Sequence, residues 1–179
     1  MPFQPEKFLI LPTSKEGHKL ELAVEVLTSG YRLRLRAFGT SMLPAIWPGD
    51  ILSVDPKPEQ EIVAGDMVLV ARRNRFFIHR LIEKHDSRWI IRGDSLPHND
   101  DSVPSCEVLG RVSLIHKKNR TIAANRRRPP FNRALAWLFC YSETFRNIAL
   151  RVHLLCRERS QDSSAGILPA VARASCPRQ

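Results

Sequence analysis

Leu33-Arg34-Leu35-Arg36-Ala37-Phe38-Gly39-Thr40-Ser41-Met42-Leu43-Pro44-Ala45-Ile46-Trp47-Pro48-Gly49-Asp50 is the stretch that decides the fold. From Tyr31 to Phe38 apolar and basic residues alternate with period two, the pattern of a half-exposed strand. Gly39 permits a tight backbone and the close approach of another main chain. Pro44 fixes its own φ and removes a donor, so the segment after Ser41 leaves the strand conformation. Gly49-Asp50 is a turn signal, and the apolar Ile51-Leu52 follows it. Taken alone, this is strand, turn and strand, with Ser41 an ordinary turn hydroxyl. A serine is a poor nucleophile unless a base lies within hydrogen-bond reach. Whether Ser41 is more than a turn residue therefore depends on what the remaining chain brings to it.

Upstream, Leu20, Ala23, Val24 and Leu27 recur at helical spacing between Glu16 and Thr28, and Ser29-Gly30 supplies a stop. Downstream, short strands are expected at 51–54, 67–70, 76–82, 88–92 and 108–115, separated by Gly-Asp turns and polar loops, with 67–82 forming a hairpin. The fold class is thus mainly β and antiparallel, with a short N-terminal helix. Ala134, Leu138, Tyr141, Phe145, Ile148, Val152 and Leu155 then mark an appended amphipathic helix. The expected organisation is a loose N-terminus over 1–15, a folded domain over 16–122, a basic Pro-containing linker over 123–131, the helix over 132–158 and a disordered tail over 159–179.

The charge follows the same division. Residues 1–116 carry 15 Lys/Arg and 15 Asp/Glu, whereas residues 117–179 carry 13 and 3, so the net charge of +10 belongs to the C-terminal part. Such a basic segment is suited to an anionic membrane surface or to simple solvation. The helix over 132–158 would pack its apolar face on the domain or a partner, the favoured reading, or contact such a membrane peripherally. No specific nucleic-acid interaction is expected. Cys106, Cys140, Cys156 and Cys176 are widely spaced with no Cys-x-x-Cys pair, which argues against zinc and against a disulfide framework and favours a reducing compartment. Met1 to Lys7 lacks the charged and apolar regions of a secretory leader. No stretch approaches the roughly 20 apolar residues of a membrane-spanning helix. The expected location is cytoplasmic or peripherally membrane-associated, with no metal or cofactor.

His79 is the residue that changes the standing of Ser41. It lies in the strand Phe76 to Ile82, two strands after the serine, where an antiparallel sheet can bring the two together. Neutral imidazole, with a reference pKa of about 6.5, is suited to taking a hydroxyl proton near neutral pH. A third group would fix its tautomer, and Asp94, Asp100 and Asp101 crowd the loop between the last two expected strands. Asp94, in Gly93-Asp94-Ser95, has the setting of a turn residue. His18, His85, His98, His116 and His153 lack a comparable setting, although His98 is near enough in sequence to serve as a control.

The blocks Gly39 to Pro44, Gly49-Asp50, Gly65-Asp66-Met67-Val68, Ile78-His79-Arg80-Leu81, Arg92-Gly93-Asp94 and Leu109-Gly110-Arg111-Val112 closely resemble, in unbroken order over about residues 30–116, the signal peptidase I and self-cleaving SOS-repressor superfamily of serine peptidases. The resemblance implies a mostly β catalytic domain with Ser41 as nucleophile and a peptide or protein as substrate. Gly39, Thr40, Met42 and Pro44 then fall in the oxyanion and substrate-binding block. Bacterial branches use a lysine base, whereas His79 resembles the endoplasmic-reticulum and archaeal type. That type carries an aspartate pair after the Gly-Asp turn, which Asp100-Asp101 matches, so Asp100 or Asp101 would orient His79.

The chain departs from both main branches. It shows no anchor before the serine block, and no helix-turn-helix of a repressor. Ala165-Gly166, an Ala-Gly bond in the tail, lies downstream of the serine rather than upstream, and is read as chance. A serine endopeptidase is the leading expectation. The alternatives are a catalytically inactive peptide-binding module of the same fold, and a nucleic-acid-binding protein acting through the basic tail.

Overall fold

The computed structural model describes residues 15–72, 75–127 and 129–165. The expectations for residues 1–14 and 166–179 lie outside the described residues. Helix α1 (Lys15–Thr28) is followed by β1 (Leu33–Arg36), β2 (Ile51–Asp55), β3 (Met67–Arg72), β4 (Arg75–Lys84), β5 (Arg88–Arg92), the two-residue β6 (Val103–Pro104), β7 (Val108–Lys117) and β8 (Arg120–Ala123), and then by helices α2 (Pro130–Tyr141) and α3 (Glu143–Ala165). The strands form one sheet in the order β1-β2-β7-β3-β4-β5-β6, with β8 paired to β7. All of these pairings are antiparallel.

Strand β3 explains how one sheet encloses two cores. Its run Met67-Val68-Leu69-Val70-Ala71 is buried throughout, and successive side chains of a strand point to opposite faces. Met67 and Leu69 join Leu27, Leu52, Val112 and Ile115 in one apolar cluster. Val68 and Val70 join Leu81, Trp89, Ile91 and Val103 in another. At about 1.5–3 kcal/mol for each large side chain fully buried, the two clusters fix which face of each strand turns inward. Register shifts in the β2–β7, β3–β7 and β4–β5 pairs bend the sheet as bulges do.

Two of the Gly-Asp turns are built alike. Gly49 and Gly65 take φ of 90° and 94°, and the following aspartates accept from backbone N–H groups three residues earlier. Trp47 N–H donates to Asp50 Oδ2 at 2.9 Å, and Val63 N–H to Asp66 Oδ2 at 3.1 Å. Lys117 holds Asp50 and Arg126 holds Asp66, at 3.1 and 2.7 Å.

The C-terminal region differs from the single helix expected over 132–158. Strand β8 carries the sheet across the expected 122/123 boundary, and α2 then packs on the same compact unit, which runs through Tyr141. Ala136 and Phe139 are buried, and the Phe139 ring meets Trp47 edge-on with centroids 6.2 Å apart. The helical periodicity continues through Ser142, but Ser142 Oγ accepts from the Phe145 N–H at 3.2 Å. This is an N-cap contact, and it starts a new helix there. That helix, α3, belongs to a second unit beginning at Ser142.

Candidate active site

Ser41 follows β1 in a series of tight turns. Met42 and Leu43 beside it are 4% and 0% exposed, so the backbone at Ser41 is fixed by what its neighbours bury. The Leu43–Pro44 peptide bond is cis. Strand β4 presents His79, which pairs with Val68 of β3 and is 8% exposed. Ser41 Oγ lies 3.0 Å from His79 Nε2, and Asp100 Oδ2 is hydrogen-bonded to His79 Nδ1. Asp100 is held by its own backbone, whose N–H donates to Ile91 O at 2.9 Å. The Phe77 ring stands edge-on to the imidazole at 5.2 Å. An ionised carboxylate only accepts, so Asp100 selects the Nδ1–H tautomer and leaves Nε2 free to accept from the serine hydroxyl. Chemically, this arrangement can deprotonate Ser41 and stabilise the resulting imidazolium.

A buried ion pair ties the two halves of the arrangement together. Arg80, next to His79, donates from Nε and Nη2 to the two carboxylate oxygens of Asp94 at 2.9 and 2.8 Å. Its Nη1 donates to the carbonyls of Gly65 and Asn125 at 2.7 and 2.9 Å. The turn that carries Asp94 also grips the serine. Ser95 N–H donates to Ser41 O at 2.9 Å, and Ser95 Oγ to Thr40 O at 2.8 Å. A Cβ at Gly93 would sit 2.7 Å from Ser41 O and 2.9 Å from Leu96; only glycine lets the two segments approach this closely. Removing one member of such a buried pair costs about 3–5 kcal/mol, so the frame that aligns Ser41 with His79 is stiff.

On the other side of Ser41 lies an apolar groove of about 480 Å3. It is walled by Leu22 and Ala23 of α1, Leu33 and Leu35 of β1, and Phe76 and Ile78 of β4. Strand β1 is the terminal strand of the sheet order. The groove runs along β1 to Gly39 and Ser41, and a Cβ at Gly39 would meet no atom within 4 Å.

With this geometry established, the comparison with protein families is decisive: the model of the Peptidase S24-like family matches residues 8–113. The chain belongs to this family. With it the chain joins the superfamily of signal peptidase I and the self-cleaving repressors. No curated protein sequence matches the chain.

Within the S24-like domain, the sequence-predicted residues divide by position. Ser41, His79 and Asp100 come together. Asp101 is exposed and Asp94 is occupied by Arg80, while both His79 ring nitrogens are engaged elsewhere, so neither of these aspartates is the histidine's hydrogen-bond partner. Gly39 and Met42 line the groove. Thr40 supplies a carbonyl to Ser95, and Pro44 is buried. Arg80, Gly93 and Ser95 are the residues that sequence reasoning left without a role; their signal was the blocks Ile78 to Leu81 and Gly93-Asp94-Ser95, legible as turns and charges but not as a clamp. His116 also has partners, Ser53 Oγ at 2.8 Å and Thr121 Oγ1 at 2.9 Å. Ser53 is 1% exposed, which makes this a brace between β2, β7 and β8 rather than a second reactive serine. Among the described residues no group of three or more His, Cys, Asp or Glu side chains is placed to hold a metal ion, and no helix is long and apolar enough to cross a membrane.

Proposed function

We propose that this S24-like protein is a serine endopeptidase of the signal-peptidase type, acting on a leader or other extended peptide through Ser41, His79 and Asp100. The observation that carries the reading is the 3.0 Å contact between Ser41 Oγ and His79 Nε2, with Asp100 on the opposite ring nitrogen. In the acylation step Ser41 Oγ attacks the scissile carbonyl as its proton passes to His79. The C–N bond then breaks, and the leaving amine takes that proton. Water hydrolyses the ester by the same path in reverse. In this reading the Ser41 backbone N–H donates to the developing oxyanion, and a donor of this kind contributes about 2.7–4 kcal/mol.

The groove supports a peptide substrate. An extended chain adding to the outer edge of β1 would find backbone partners along the strand and place alternate side chains against Leu33, Leu35 and Ile78. Its scissile bond would pass over Gly39, where no Cβ stands in the way. Apolar residues upstream of the cleaved bond are therefore preferred. The test is cleavage of a peptide library, together with the intact mass of the protein itself, for wild type, Ser41→Ala and His79→Ala. Both variants should lose cleavage while remaining folded; full activity in either overturns the assignment. Peptide binding without turnover in the wild type would identify a binding module instead.

A further inference from the structure

A second cavity, of about 530 Å3, lies behind the turn that grips Ser41. Its floor is that turn, through Asp94, Leu96 and Pro97, and its walls include Arg92, Arg127 and the stripe Arg133-Trp137-Tyr141 of α2. Those last three recur every four residues and so share one face of the helix. Three arginines thus line one space. One carboxylate, that of Asp94, lines the same space, and both of its oxygens accept from Arg80.

The donor set selects the ligand's chemistry. A carboxylate has only two oxygens in one plane for guanidinium forks to share, whereas a phosphate spreads more oxygens towards several guanidinium groups at once. The surroundings select its carrier. Trp137 and Tyr141, their rings 5.2 Å apart, are 65% and 70% exposed at the cavity rim, and Phe131 on the same helix is 72% exposed. Trp and Tyr in this state, apolar in body and polar at the tip, favour the membrane–water boundary. We propose that the cavity between α2 and the 93–97 turn holds the phosphate of an anionic lipid headgroup, with the α2 aromatics in the lipid interface.

The experiment is flotation of the full chain with vesicles of phosphatidylcholine alone or mixed with phosphatidylglycerol, a readout that does not depend on peptide cleavage. Wild type should float with the mixed vesicles only. Arg127 and Arg133 are exposed, so their replacement leaves the cores intact. R127A/R133A should weaken partitioning by ~10–30-fold. R127K/R133K, which keeps the charge but not the forks, should also weaken it, and R151A on α3 should not. Full binding by the lysine variant, or an equal loss in R151A, overturns the cavity in favour of diffuse charge. Arginine-dependent stabilisation by inorganic phosphate without any flotation overturns the lipid as the carrier. Absence of both overturns the site.

Discussion

Asp100 and Asp101 are chemically identical neighbours, and only the direction of the backbone separates them. The Asp100 N–H bond to Ile91 O turns its side chain towards His79 and leaves Asp101 exposed. D100N should lower kcat by as much as ~10⁴, the cost seen when a triad loses its carboxylate, while D101N should match wild type in the same assay. The sequence left this choice open because a polar loop has no periodicity from which to read side-chain direction. The two site glycines make a second contrast. At Gly93 a Cβ meets the Ser41 carbonyl at 2.7 Å, whereas at Gly39 it meets nothing. G93A should cost about 1–3 kcal/mol, as overpacking does, and lose activity with it. G39A should keep the Tm but raise KM or lower kcat. An unchanged Tm in G93A, or full activity in G39A, would show that these roles are wrongly drawn.

At the scale of elements, the strands with clear alternation or continuous apolar runs (β1, β3, β4, β5 and β7) were legible within two residues or so at their ends. Strands β6 and β8 were not. The first is two residues long, and Arg120-Thr121-Ile122-Ala123 is mostly exposed, so neither carries a burial pattern that a sequence can display. Nor did the sequence show how β1 is pinned to β2. The register pairs Leu33 with Val54, and one step beyond it Arg32 forks onto Asp55. Partial burial pushes the Asp55 carboxyl up, but the hydrogen bonds from Arg32 and Ser113 and the charges of Arg32 and Arg111 outweigh it and hold the group below its ordinary range. A depressed folded-state pKa means stability that is fully present above the ordinary carboxylate range and is lost as pH falls through the lowered value. Urea unfolding of wild type and R32A should therefore differ at neutral pH and converge at acid pH. A gap that does not narrow would show that the pair acts through packing alone.

For the molecule as a whole, the expected end of the folded domain at residue 122 is displaced by two facts. The carbonyls of Asn125 and Arg126 accept from Arg80, and α2 buries Ala136 and Phe139. A chain ending after Tyr141 should keep its Tm and cleavage. One ending after Asn125 should lose about 3–5 kcal/mol from the missing Phe139 side chain alone, measured by denaturant midpoint; equal midpoints would make α2 dispensable. Strand β4 carries a further consequence. His79 pairs with Val68 and Arg80 with Met67, so the dipeptide offers its imidazole to one side of the sheet and its guanidinium to the other. A slip of β4 by a single position would exchange them, placing a permanent cation opposite Ser41 and a ring too short to bridge Asp94 to Asn125. A copy of the protein with misaligned strands would therefore be silent rather than indiscriminate: the same error that spoils its architecture disarms it.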